Sequence, residues 1–173
     1  LVGRELGINP EDVLVASTGV IGAKLDMGLI EDAIPGLVKA LARDAVPLTA
    51  QAIMTTDSFP KISAFEGRAG GSSYRIVGMA KGAGMIMPDM ATMLCFILSD
   101  IRISSDDLKR VLLSSVKTTF NRISVDGDTS TNDTVLAMVN GLAGNGDLGG
   151  EDYNIFAEGL RKVMWDLARM IVR

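Results

Sequence analysis

The chain has 173 residues, 47% of them hydrophobic and 22% charged, with a formal net charge of −4. That length and apolar content suit a folded α/β-sized domain with a sizeable core, while the slight acidity and lack of a basic run argue against a nucleic-acid partner. No apolar stretch reaches membrane-spanning length, because the run after Thr92 stops at Ser99-Asp100, so no membrane partner is expected. The single Cys95 cannot form an internal disulfide and no secretory leader pattern is read, so a cytoplasmic, reducing location is expected. There is no histidine. A Ser-His-Asp or Cys-His nucleophile cannot be built within the chain, and the usual Cys/His zinc sites fail for the same reason, so no metal is expected.

In chain order, Leu1, Leu6 and Ile8 read as the tail of a helix, and Asn9-Pro10 signals a turn. Val13 to Ala16 is expected to be a short strand running into Ser17-Thr18-Gly19, followed by Val20-Ile21-Gly22. A strand that ends in a Gly-containing turn can aim main-chain N–H groups at one point and build an oxyanion hole; a plain strand-to-loop connection has the same composition. Leu29 to Ala42 reads as a helix with Leu29, Ala33, Leu37, Ala40 and Leu41 on its inner side, kinked or split at Pro35. Thr49 to Thr55 is a second short helix or turn, and Thr55-Thr56-Asp57 before Phe59-Pro60 suits side chains bonding local backbone. Ile62 to Glu66 and Tyr74 to Met79 read as a hairpin with a loose Gly-rich loop between them, and its second arm delivers Lys81.

The stretch Lys81 to Leu98, KGAGMIMPDMATMLCFIL, joins a Gly82/Gly84 pair, Pro88 and an apolar run entered through Ala91-Thr92. It brings a hydroxyl to the mouth of a buried strand, an arrangement that suits a nucleophile and equally an ordinary strand end. Ser104 is a helix N-cap, with Leu108, Val111, Leu112, Ser115, Val116, Thr119 and Phe120 on one face of the helix that follows. Arg122 to Val125 is expected to be a strand leading into the polar loop Asp126 to Thr134. That loop departs from a calcium EF-hand pattern, since its sixth and twelfth positions are Thr131 and Ala137, and a turn holding its own backbone is the plainer account. Val135 to Val139 reads as a strand and Gly141 to Gly150 as a mobile loop. Glu151 to Arg173 reads as a closing helix buried along Tyr153, Phe156, Leu160, Val163, Met164, Leu167 and Ile171. Strands mixed with amphipathic helices indicate an α/β layered sandwich of β-sheet and helices.

The segment KGAGMIMPDMATML closely resembles the self-cleavage signature of the ornithine acetyltransferase family, the bifunctional glutamate N-acetyltransferase/amino-acid acetyltransferases. STGVIG at Ser17 to Gly22, TTDSFPK at Thr55 to Lys61 and DGDTSTNDT at Asp126 to Thr134 match in the family's order. The resemblance implies the family's self-processing fold, with residues 1–173 as a single α/β domain that is part of a larger precursor. It implies cleavage between Ala91 and Thr92 into an alpha-chain part, 1–91, and a beta-chain part, 92–173, assembled as a heterotetramer of two alpha and two beta chains. Thr92 is then the nucleophile, Thr18 and Gly19 stabilise the oxyanion, and Thr55 and Lys81 bind substrate together with Thr92. The implied substrates are N-acetylornithine and glutamate, with no cofactor; acetyl-CoA is a co-substrate for some members. The Asp126–Thr134 loop lines the active-site region with no catalytic role assigned. The family's DGEG-type stretch and far C-terminal ligands are missing from the chain.

Threonine chemistry of this kind needs no histidine. Attack of Thr92 Oγ on the Ala91 carbonyl converts the peptide bond to an ester, and water releases a new N-terminus at Thr92. The freed α-amine, with an ordinary pKa of about 7.7–8.0, is a general base carried on the residue it activates. Two other classes fit parts of the sequence. A nucleotide-dependent enzyme would cradle phosphate on Lys81-Gly82-Ala83-Gly84 and hold Mg²⁺ on Asp126/Asp128, although Lys81 precedes the glycines instead of following them. A non-catalytic assembly subunit would use the 10 methionines at an interface.

Overall fold

A computed structural model describes residues 1–84, 93–128 and 130–173. Ala91 and Thr92, the expected cleavage junction, and Pro88 lie outside the described residues. The chain forms two compact units, Leu1–Val46 and Pro47–Arg173.

The first unit holds helix α1 (Val2–Leu6), closed by Gly7 in the left-handed region, a 3-10 turn at Pro10–Asp12 entered from Asn9, and helix α2 (Met27–Lys39). Asp26 caps α2 by accepting from the Gly28 and Leu29 N–H groups at 3.0 and 3.3 Å. Pro35 lies inside α2 without splitting it, since a proline deletes one rung and 13 residues keep the rest of the ladder. The inner side is also not the expected one. Ile34 is buried and Val38 half-buried, while Leu29, Leu37 and Leu41 are exposed. The stripes Leu29-Ala33-Leu37 and Ile30-Ile34-Val38 are both apolar at helical spacing, so periodicity alone had no basis for choosing between them. Val13 to Ala16 joins no sheet: every strand of the described residues belongs to the second unit, and Leu14 and Val15 stand exposed.

The second unit is a mixed α/β layer pair. Helix α3 (Val46–Ala52) leads to a four-stranded sheet of β1 (Lys61–Ala69), β2 (Ser72–Lys81), β3 (Leu94–Ser99) and β4 (Thr134–Val139), in that spatial order. The first two pairings are antiparallel and β3–β4 is parallel. Parallel neighbours need a long crossover, and helix α4 (Ser105–Thr118) supplies it. The Ser104 cap holds as expected, its Oγ accepting from the Asp107 N–H at 3.1 Å and donating to the Asp107 carboxylate at 2.7 Å. The expected strand at Arg122–Val125 is instead a 3-10 turn, Phe120–Arg122, running into coil, because that stretch has no strand beside it to pair with. Helix α5 (Gly150–Ile171) lies on β1 and β2 and buries Phe156, Leu160, Val163, Met164, Leu167 and Ile171, as the pattern required; α4 packs on α5.

Two loops are tighter than their composition suggested. The hairpin turn is only Gly70-Gly71, at φ 54° and 84°, the paired positive angles of a type I′ turn, so the strands run right up to it. The Gly70 N–H donates to Asp152 of α5 at 2.8 Å. In the Gly141–Gly150 loop, buried Asn145 accepts from the Arg102 N–H and donates to the Arg102 carbonyl, both at 2.9 Å, pinning the loop instead of leaving it loose.

Close approach of α5 to the sheet depends on missing side chains. A Cβ on Gly159 would fall 2.4 Å from the Phe65 ring, and one on Gly78 would fall 2.7 Å from Val163. Gly159→Ala gains about 1 kcal/mol of helix propensity but forces a ring wedged between α5 and β1 to move, at a cost of about 1–3 kcal/mol. The clash is expected to win, and urea denaturation of the full-length protein should show a lower midpoint. An unchanged or higher midpoint would show that Phe65 repacks freely.

Candidate active site

Sheet register brings the informative segments to one end. Lys61 opens β1 opposite Ala80, Lys81 ends β2 opposite Leu94, and Leu94 opens β3 opposite Thr134, the first residue of β4. The segment Thr55–Pro60 reaches the same end, since it runs directly into β1. Three of the four motifs, all but Ser17–Gly22, therefore belong to the second unit, and their described residues flank this end of its sheet.

At its centre is Asp57, buried and accepting three hydrogen bonds on its carboxylate. Oδ1 accepts from Lys61 Nζ at 2.5 Å and from the Gly82 N–H at 2.7 Å, and Oδ2 accepts from the Thr55 N–H at 3.3 Å. Burial alone pushes this carboxyl up, but the bonds from Lys61, Gly82 and Thr55 and the lysine charge outweigh it and hold Asp57 below the ordinary range. Lys61 also faces the Phe59 ring, 4.9 Å from its centroid. Lys81 is only 3% exposed, against the usual solvated state of a lone lysine, and its Nζ donates to Thr55 Oγ1 at 3.3 Å. Burial lowers its pKa, and the Asp57 charge opposes that shift. Gly82, at φ 145°, turns the chain away from β2 in a conformation that favours glycine.

The second carboxylate is Asp133. Its Oδ1 accepts from the N–H of Met93, the residue that follows Thr92 in sequence, at 2.7 Å. Its Oδ2 is buried with no hydrogen-bond partner among the described residues. Burial pushes the carboxyl up and the Met93 bond pulls it back, leaving it at about 6. Along the rest of the loop, polar side chains hold local backbone as expected: Asp126 accepts from the Asp128 N–H at 3.4 Å and Ser130 from the Asn132 N–H at 3.2 Å. Asp126 also reaches back to the glycine segment, where a Cβ on Gly84 would lie 3.4 Å from its Oδ2.

Of the expected site residues, Thr55 and Lys81 are in direct contact. Thr18, half-buried, and Gly19, exposed, belong to the first unit, in irregular backbone, with Leu25 3.7 Å from where a Gly19 Cβ would be. Thr92 and Ala91 lie outside the described residues. No functional role was read for Asp57, Lys61 or Asp133 in the sequence, although Asp57 does bond local backbone as expected, through the Thr55 N–H. A usable signal for the first two was a charged pair flanking Phe59-Pro60 just before an apolar strand; Asp133 offered none beyond its place at the strand mouth. Among the described residues no three Asp, Glu, His or Cys side chains converge as a metal site, and no helix is long and apolar enough to cross a membrane.

Fold and site together define an α/β protein with a buried lysine–carboxylate–threonine cluster at one end of a mixed sheet. The ArgJ family profile matches residues 1–173, so this chain belongs to the ArgJ family. An arginine biosynthesis bifunctional protein ArgJ from Geobacter sulfurreducens is 50% identical over 175 residues, covering 100% of this chain and 44% of that protein. A glutamate N-acetyltransferase from Methanocaldococcus jannaschii is 49% identical over 177 residues, covering 100% of this chain and 43% of its own length. A crystal structure of the arginine biosynthesis bifunctional protein ArgJ from Bacillus halodurans, 42% identical, aligns over 44% of this chain and 37% of that one with a TM-score of 0.43. The chain spans less than half the length of the curated relatives it matches.

Asp133 sets a pH dependence with a definite sign. Between the ordinary carboxyl value of 3.8 and about 6, the folded carboxyl keeps a proton that the unfolded one has released, so this group lowers stability as pH rises through that window. Asp57 acts in the opposite sense and below it: its contribution is present above 3.8 and is lost as pH falls through its depressed folded value. Asp133→Asn should therefore flatten the stability profile between about pH 4 and 6 in urea titrations of the full-length protein. A slope unchanged from wild type would mean that Asp133 ionises normally.

Proposed function

We propose that the full-length protein transfers an acetyl group from N-acetylornithine to glutamate through an acetyl ester on Thr92, after cleaving itself between Ala91 and Thr92. Membership of the ArgJ family over residues 1–173 carries this proposal. It is supported by the relatives' names, a bifunctional arginine biosynthesis protein and a glutamate N-acetyltransferase. The Thr55–Lys81 contact fits as well, since a buried ammonium beside a hydroxyl suits a polar, anionic amino-acid substrate.

Thr92 Oγ first displaces the Ala91–Thr92 amide nitrogen, and water hydrolyses the resulting ester, leaving a free amine on Thr92 and a carboxylate on Ala91. That amine then takes the Thr92 hydroxyl proton as Oγ attacks the acetyl carbonyl of N-acetylornithine. Thr18 and Gly19 donate to the tetrahedral oxyanion, and ornithine leaves with the proton. Glutamate attacks the acetyl ester in the second half-reaction, giving N-acetylglutamate and restoring Thr92. Thr55 and Lys81 hold the substrate. We further propose acetyl-CoA as a second donor, assembly of two alpha and two beta chains, and action in the cytoplasm without a bound cofactor.

Intact-mass analysis of the full-length protein should show two fragments, the second beginning at Thr92, and Thr92→Ala should leave one uncleaved chain. With donor alone, the Thr92 fragment should gain one acetyl mass that hydroxylamine removes, as it does from an ester and not from a lysine amide. Cleavage of the alanine variant at the same bond sinks the nucleophile assignment.

A second measurement addresses the oxyanion donors. Removing one such donor costs about 10²–10³ in turnover, so Thr18→Ala should lower kcat far more than it raises KM. A pure KM effect would assign Thr18 to ground-state binding.

A further inference from the structure

We propose that Asp57 is a positioning residue for acetyl transfer: it holds the main chain of Thr55 and Gly82 so that Thr55 Oγ1 and Lys81 Nζ meet the substrate as one unit, and it supplies the negative charge that Lys61 and Lys81 share. This rests on the acetyl-transfer reaction and on Lys81 as its substrate-binding lysine.

Three separate pieces of chain converge on this one carboxylate. The Thr55 N–H comes from the segment after α3, Lys61 Nζ from the first residue of β1, and the Gly82 N–H from the residue just past β2. Removing Asp57 would release both segments that carry the substrate-binding side chains, since Lys81 immediately precedes Gly82 and Thr55 is itself one of the donors. The charge balance points the same way. Asp57, Lys61 and Lys81 are respectively 9%, 2% and 3% exposed, so one buried carboxylate stands against two buried ammonium groups. The cluster has a net charge of +1, which an anionic substrate group would complete. Lys61 bonds Asp57 directly, whereas the hydrogen bond from Lys81 is to a neutral hydroxyl and Asp57 reaches it only through its field. Among the described residues the other carboxylates at this end of the sheet, Asp133 and Asp126, bond the main chain of Met93 and Asp128, and Asp133 Oδ2 is left without a partner. Opposite Lys81 on β3 is apolar Leu94.

The two partners of the carboxylate separate positioning from mere packing. In full-length enzyme, Asp57→Asn keeps the shape and one acceptor but removes the charge. KM for N-acetylornithine should rise about tenfold, the size of one charge-assisted hydrogen bond, and more than kcat falls. KM should also climb with pH in a range where wild type is flat, because Lys81 then loses its proton more readily. Lys61→Met leaves the Asp57 charge unshared, so its KM should begin to climb at a higher pH than in wild type. A structural role alone moves both variants the same way, and that outcome, or a wild-type KM profile in Asp57→Asn, overturns the proposal. If Asp57→Asn does not accumulate as folded protein, Asp57→Glu carries the test: the retained charge should give the wild-type pH profile with KM still raised, and a wild-type KM or a shifted profile counts against positioning. Absence of acetyl transfer in the wild-type enzyme is a different result, which removes the reaction itself.

Discussion

A buried carboxylate that must find its partners inside the fold is the constraint on which the candidate site depends. Taking an aspartate and two lysines out of water costs several kcal/mol per ion unless each finds partners. Asp57 meets that demand with one lysine and two main-chain N–H groups drawn from three places in the chain. Losing Lys61 would leave the buried carboxylate without its counter-ion, and losing either N–H would remove a bond that offsets its burial, so the strand ends and the Thr55–Pro60 segment are held in one arrangement. That rigidity suits the substrate-binding role proposed for Lys81 and Thr55, since an error of about 1 Å at a reacting centre can cost 10²-fold in rate.

Sheet topology does the remaining positioning. Because β3 and β4 run parallel, both begin at the same end, and Asp133, just before β4, falls beside Met93, just before β3. An antiparallel pair would have put these residues at opposite ends. The α4 crossover makes the parallel pairing feasible, and its buried Val111, with Phe120 of the 3-10 turn that follows, ties it into the same core as α5. Gly78 and Gly159 let α5 settle closely on β1 and β2, so core packing and site geometry share the same two strands.

Much of this was open to inference from the residues themselves. The cap at Ser104 and the buried stripes of α4 and α5 were determined locally, because side-chain spacing and a hydroxyl at a helix start act over a few residues. The strands β1 to β4 were recognisable as β-branched and apolar runs, and the four ordered motifs carried the family. Where two answers were locally equivalent, pattern reading failed. Helix α2 has apolar stripes on two sides, and Val13–Ala16 has strand composition with no neighbour to pair with, so only the folded chain could decide either.

Sequence by itself thus determined most elements of the second unit, the family and the chemical types available in a chain without histidine. Tertiary structure decided that Lys81 is buried against Thr55, that Asp57 collects Thr55, Lys61 and Gly82, and that Asp133 holds Met93. Asp57 and Gly82 are 25 residues apart, and Asp133 and Met93 are 40 apart. Hydrogen bonds over such separations follow from strand register and from the cost of leaving buried charge unpaired, neither of which is written in any short stretch of the chain.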